Sequence, residues 1–213
     1  MASSVKRPYD NDRRTAQSQN TKLRILEAAR QLLMAKGYRA TTVAQVARAA
    51  GVHHDTIYAL VGRKPEILRE LIEMAISGAD GPVAPEEREY VQRMLAEPDP
   101  RQKLAIYASA MQAIQTRMAP LLLALRDASS TEPEAEQVWK AISERRAANM
   151  RRLVVDLGEG VLRPELSDDT AADIIWATAS SEVFILLTTQ RRWSLRQYED
   201  WLYDTWCRLL LDA

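Results

Sequence analysis

Cysteine is almost missing from this chain: Cys207 stands alone among 213 residues. One thiol excludes an internal disulfide and a multi-cysteine zinc site, and in an apolar C-terminal helix it is expected to be buried and inert. Glycine is also scarce, seven in all, while alanine, leucine, arginine and glutamate are abundant, which favours helix throughout. Histidine occurs twice, as the adjacent pair His53 and His54. Neighbouring residues cannot share one helix face, and no second cluster of carboxylates or thiols lies near them, so no metal site is expected. A hydrolytic triad needs a histidine to orient its nucleophile, and both histidines lie in a basic stretch better suited to groove contact. There is no Gly-rich phosphate loop, and the acidic pairs Glu86-Glu87 and Asp168-Asp169 fall at helix starts, where carboxylates offset the macrodipole. An enzyme built on a helical bundle therefore has no chemistry to draw on; no catalytic residue and no cofactor are expected. No apolar run approaches the length of a bilayer span, and 1–20 is polar and charged rather than a signal peptide, so the cytoplasm is the expected compartment and a membrane is not an expected partner.

What is present is divided unevenly. The net charge is zero, yet residues 1–70 carry 13 Lys/Arg against 6 Asp/Glu, and residues 71–213 carry 16 against 23. A basic head on an acidic body suits a partner with phosphates at one end only. Apolar periodicity sketches helices over the whole length. Residues 1–20 read as a flexible basic arm, with Lys6, Arg7, Arg13 and Arg14 and no apolar period; such arms lay arginines into a minor groove. The first helix is expected over 21–36, with Asn20 as N-cap and Gly37 as stop. The densest cluster of breakers, SGADGPVAP over 77–85, places a boundary between a head, 21–76, and a body, 77–213. In the body, 86–97 reads as a short helix, Asp99-Pro100 starts a longer one, and Pro120 breaks or kinks it. Thr131 and Glu134 form a capping box opening a long helix closed by Gly158. Ser167 caps a helix over 170–189 that is apolar nearly all round, and Ser194 with Gln197 opens the last helix.

The most informative stretch runs from Thr41 to Leu71. Thr42 with Gln45 is a capping box. Val43, Val46, Ala47 and Ala50 give the helix that follows a small apolar face, and Gly51 suits the sharp turn that ends it. A second short helix, about His54 to Leu60, turns Ile57 inward with Val61. Two short helices joined at a glycine make a helix-turn-helix, whose second helix fits the major groove.

The segment GVHHDTIY, followed by GRKP and a new amphipathic helix, resembles the DNA-binding head of the tetracycline-repressor family of bacterial regulators. The resemblance covers about Lys22 to Ile72; it departs at His53, where the family most often has serine, and at Val61, where it has an aromatic. It implies an all-α fold, a three-helix DNA-binding head followed by a helical bundle for ligand binding and dimerisation. Thr42, Tyr58 and Lys64 map to phosphate-contacting positions, with Gln45, His53 and Arg63 beside them, and His54, Asp55 and Thr56 face base edges. Arg39, Arg48 and Arg63 add unspecific backbone contacts. The last two helices of each subunit would pair in a homodimer, which implies a palindromic operator in double-stranded DNA. In the body, Tyr107, Met111, Ile114, Met118, Trp139, Met150, Trp176 and Phe184 could line a cavity or be ordinary core; the resemblance is what implies a largely apolar small-molecule effector. The implied function is a ligand-responsive repressor released from its operator by that effector. A ligand-independent architectural DNA-binding protein is the alternative; its binding would show little sequence preference and a steep salt dependence.

Overall fold

The computed structural model describes residues 8–79, 81 and 83–212. The described residues are helical, with an isolated bridge between Leu162 and Leu211 in place of any strand. The chain forms two compact units, Met1–Leu71 and Ile72–Ala213.

The first unit holds α1 (Pro8–Ala40), α2 (Val43–Ala50), α3 (His54–Leu60) and the start of α4 (Lys64–Ser77). Ile25, Leu26, Ala29 and Leu33 of α1 are buried, as are Val46, Ala47 and Ile57 of the motif and Ile67, Leu68 and Leu71 of α4. This is the apolar periodicity of the sequence turned into one small core. α1 begins earlier than its composition implies. Asn20 is inside the helix rather than its cap, with the Thr21 hydroxyl donating to the Gln17 carbonyl at 2.9 Å. Residues 8–20 are polar and only middling helix formers, but they extend a helix already nucleated and packed beyond them, which spares them the cost of starting one. Arg13 and Arg14 thus stand exposed on helix rather than on an irregular arm, and Lys6 and Arg7 lie outside the described residues. Gly37 does end the regular helix: its backbone (φ 76°, ψ 173°) leaves the helical region.

The second unit begins inside α4, so the division falls within that helix rather than at the Gly- and Pro-rich stretch after it. A 3₁₀ turn, Pro85–Glu87, leads into α5 (Glu89–Ala96), α6 (Pro100–Ser129), α7 (Pro133–Leu157), α8 (Asp168–Thr178), α9 (Ser181–Ile185) and α10 (Leu195–Leu210). Leu104, Ala108, Leu125, Ile175, Leu202, Trp206 and Leu210 are fully buried at its centre. Asp99 caps α6 with Pro100 in its first turn, and Ser167 and Ser194 cap α8 and α10, the last with the full capping box.

Four expectations are corrected by the structure. Pro120 neither breaks α6 nor ends it; the helix runs on to Ser129. The cap of α7 is Glu132, not Thr131: Pro133 takes the first helical position, and the Thr131 hydroxyl donates to the Ala128 carbonyl at 3.3 Å, closing the helix before. The helix expected over 170–189 is interrupted. Ala179 ends α8, Ser180 swings to an extended conformation (φ −74°, ψ 154°) and caps α9, and a π turn, Leu186–Gln190, follows. The stretch Asp168–Gln190 is, by composition and length, apolar enough to cross a bilayer, with a mean hydropathy of 1.4 over an 18-residue window. That corrects the reading that no run approaches this length, although the interruption and Asp168, Asp169, Asp173 and Glu182 all fall within it.

Candidate functional site

In the first unit the capping box of α2 is complete. The Thr42 hydroxyl accepts from the Gln45 N–H at 3.2 Å and Gln45 Oε1 accepts from the Thr42 N–H at 3.1 Å. Gly51 takes the left-handed conformation (φ 64°, ψ 40°), so its N–H reaches back to the Ala47 and Arg48 carbonyls. From α1, Arg24 Nη2 donates to the Ala50 carbonyl at 2.7 Å and closes the same helix end. His53 replaces a hydroxyl cap with an imidazole: its Nδ1 accepts from the Asp55 N–H at 3.5 Å. The same nitrogen lies 3.2 Å from Asp55 Oδ2, and His54 Nε2 lies 3.0 Å from Oδ1. One nitrogen cannot do both at once: as an acceptor it caps α3, and as an N–H donor it pairs with the carboxylate. Asp55 therefore draws together two histidines that share no helix face, placing three groups of metal-ligand type within 4.8 Å of one another, all on exposed residues.

Thr42, His53, His54, Asp55, Tyr58 and Arg63 are exposed, while Gln45, Thr56 and Lys64 are partly buried. Tyr58 keeps half its surface in solvent, with its ring edge-on to His54 at 6.3 Å. Ile57 on the opposite side is fully buried. The exposed start of α3 is thus a polar face fixed from behind by one apolar anchor. Lys64 is more constrained than a free phosphate-binding lysine: its ammonium donates to the Tyr38 carbonyl at 3.1 Å and lies 3.8 Å from the centre of that ring.

The second unit contains a cavity of about 290 Å³ walled by α5, α6, α7 and the end of α4. Of the residues expected there, Tyr107, Met111, Ile114, Met118 and Met150 are on its wall. Trp139, Trp176 and Phe184 are not among them; Phe184 packs edge-on against Tyr198 at 5.0 Å, and Trp176 lies behind Arg146, 5.2 Å from its guanidinium carbon. The Tyr107 ring stacks on Trp206 at 5.4 Å and its hydroxyl donates to the Met150 sulfur at 3.3 Å. Burial pushes the pKa of that hydroxyl far above its ordinary value, so it stays a neutral donor. The wall also carries charge: Arg88, Arg145, Arg146 and Arg152 against Glu86 and Asp156. Glu73 of α4 pairs with Arg145 and stands 4.0 Å from Arg88 Nη2, and Lys103 holds Asp156 at 2.7 Å.

Residues 25–71 match the family model of bacterial regulatory proteins, tetR family. The helix-turn-helix and the helices on either side of it are thus similar to the head of that family. Among solved structures, NalD, the secondary repressor of the MexAB-OprM multidrug efflux pump in Pseudomonas aeruginosa, is similar over 91% of this chain and 98% of its own, at 23% identity and a TM-score of 0.70. The fatty acid degradation regulator FadR from Bacillus halodurans matches over 87% and 94%, at 20% identity and a TM-score of 0.70. FadR from Bacillus subtilis, in complex with stearoyl-CoA, matches over 86% and 96%, at 19% identity and a TM-score of 0.68. At these identities the likeness is one of fold, and it extends through the second unit. No curated protein matches the chain by sequence.

The tetR-type head was readable because its signals are local. The cavity arginines were not singled out, although a signal existed. Ile142, Arg146 and Met150 follow one another at four-residue steps, so Arg146 interrupts an apolar stripe of α7. Gln115 does the same in α6, between Met111 and Met118, and it too is on the wall. A search for apolar residues alone passes over both.

Proposed function

We propose that this chain is a ligand-responsive DNA-binding transcriptional regulator, a repressor that binds a palindromic operator as a homodimer and leaves it when a small molecule occupies the cavity of the second unit. The observation that carries this reading is α4. It begins with Lys64 beside the tetR-type motif and ends with Glu73 and Ile76, which meet the cavity arginines and the cavity itself. In the resulting two-state scheme the ligand favours an arrangement of α4 in which the heads no longer match their half-sites, so DNA and ligand bind with negative coupling. A coupling of about 1–3 kcal/mol changes affinity roughly 5- to 150-fold.

Contact with DNA is assigned to Thr42, Gln45, His53, Tyr58, Arg63 and Lys64 at phosphates, and to His54, Asp55 and Thr56 at base edges. The apolar surface left open on the last helices supports the homodimer: Leu186, Leu195 and Leu209 are 47%, 41% and 44% exposed. The similar proteins named as repressor and as fatty acid degradation regulator support the same class of function, and a protein acting on chromosomal DNA works in the cytoplasm.

The test is selection of binding sites from random duplex DNA by the purified protein, repeated with Tyr58→Ala and Lys64→Ala. One enriched palindrome, bound at least about tenfold more weakly by each variant, is expected from the loss of phosphate contacts worth roughly 1–2 kcal/mol apiece. No enrichment, with steeply salt-dependent binding to any duplex, would replace this reading with the architectural one.

A further inference from the structure

The wall of the cavity holds a cation, Arg146, that forms no ion pair among the described residues. Arg146 sits on α7 between Ile142 and Met150, mostly buried, and its Nη2 donates to the Trp176 carbonyl at 2.8 Å and to the Ala179 carbonyl at 3.4 Å. Both acceptors are neutral groups at the end of α8. Among the described residues no carboxylate lies within 4 Å of this guanidinium. Of the acids in this region, Glu73 pairs with Arg145, Asp156 with Lys103 at 2.7 Å, and Glu182 with Arg126 at 2.9 Å. Burial holds the Arg146 pKa below its ordinary value, and the more distant charge of Glu182 offsets that push only in part.

Two buried donors stand in the same neighbourhood without an acceptor among the described residues, Trp176 Nε1 and the Tyr198 hydroxyl. The Trp176 ring faces Arg146 at 5.2 Å, and the charge of Arg146 is felt at Tyr198, where it opposes the upward push of burial on the hydroxyl. The rest of the wall is apolar and adaptable, with Met94, Met111, Met118, Ile114 and Ile142 around it. Methionine thioethers follow the shape of an irregular apolar body. The volume, about 290 Å³, is at the lower end of the roughly 300–1,000 Å³ of small-molecule sites.

We propose that the cavity takes an amphipathic carboxylate, its apolar body among the methionines and its single acidic head paired with the Arg146 guanidinium. This rests on the reading of the cavity as an effector site and specifies what enters it. With Nη2 held by the two carbonyls, the guanidinium offers its remaining N–H groups and its full positive charge, a charge-assisted bond to a carboxylate that an amide or alcohol of the same shape cannot match. A cationic ligand would meet four arginines against two acids, the exposed Glu86 and an Asp156 already held by Lys103. The same chemistry is available from an aliphatic or an aromatic acid, and the two are separated by the probes.

Calorimetric titration of the full chain decides the matter, with octanoate against octanamide, naphthoate against naphthamide, and octyltrimethylammonium as the cation. The acid of the preferred scaffold is expected to bind roughly ten- to a hundredfold more tightly than its amide, the range of a charge-assisted hydrogen bond. In Arg146→Gln that ratio falls to near one, while the amide binds as before; in Arg146→Lys, which keeps the charge, most of the ratio survives. The ratio is an internal control, because damage to the α8 end alone weakens acid and amide alike. Equal binding of acid and amide by the native protein, a ratio that persists in Arg146→Gln, or a preference for the ammonium would overturn the proposal and leave the effector cavity standing. Failure of every probe to bind would overturn both.

Discussion

Gln115 is a primary amide with no exposed surface in the apolar stripe of α6, tolerable only because both ends are bonded. Nε2 donates to the Ala179 carbonyl at 2.5 Å, and Oε1 accepts from the Ser181 hydroxyl, itself fully buried, at 2.8 Å. Replacing one member strands the other, and a stranded buried donor or acceptor costs about 1–3 kcal/mol. Gln115→Leu is therefore expected to lower the stability of the second unit by about 2–4 kcal/mol, since it leaves the Ser181 hydroxyl without an acceptor and weakens the hold on Ala179. Adding Ser181→Ala to that variant should restore about 1 kcal/mol, because the orphaned hydroxyl goes with it. Urea unfolding of the single and double variants measures both. If the second substitution destabilises further, the two side chains are not coupled in this way. The same pair explains what periodicity could not say about this region. Ser180 reads as a small residue inside an apolar helix, yet it caps a new one. The carbonyl released by the interruption is taken by residues 64 and 33 positions away, Gln115 and Arg146. Nothing within one turn of Ser180 records those partners.

At the scale of elements, the helix ends that could be read are those fixed within four residues. The capping boxes at Thr42 and Ser194 form as their spacing implies, and Gly37, Gly51 and Gly158 sit where helices stop or turn, because each signal and its effect are covalent neighbours. The box at Thr131 yields to Pro133, whose ring fixes the first helical residue one place later. α4 is where local reading reaches furthest and then fails. Its apolar stripe was plain, but its role in the second unit depends on Glu73, an exposed-looking acid that is 15% accessible beside two arginines of other elements. Arg88 is nearly buried and Arg145 about half exposed, so the cluster is weaker than a fully buried pair and stronger than a surface one. Glu73→Ala is expected to cost about 1–3 kcal/mol, chiefly by leaving the Arg88 guanidinium without its anion. Glu73→Gln should cost less, since the amide oxygen still accepts. Thermal unfolding of the two variants ranks them, and equal midpoints would mean that shape, not charge, holds this end of α4.

For the molecule as a whole, the apolar surface and the charge division have to be met by different partners. The basic residues concentrate before residue 71, and the exposed leucines all lie beyond it. Leu186 follows α9, Leu195 opens α10 and Leu209 is near its end, so burial of the three by a second copy would cover the flank that the apolar stretch Asp168–Gln190 leaves open. A two-fold axis there would make one binding event of two heads, with half-sites about 34 Å apart, one turn of DNA. The advantage is one of effective concentration: once one head is bound, the other searches only a small volume, which multiplies affinity by about 10²–10⁴. Leu186→Glu with Leu195→Glu is expected to give a monomer by light scattering and to weaken operator binding by at least about a hundredfold, with each head left intact. On the DNA side, separating the half-sites by an additional half-turn, about five base pairs, places the second half-site on the far face of the duplex, where a fixed dimer cannot reach it. That operator should bind the native protein no better than an isolated half-site does. If the charged variant stays dimeric and tight, the interface lies elsewhere on the second unit; if the respaced operator binds at full strength, the heads do not act as a two-fold pair at all.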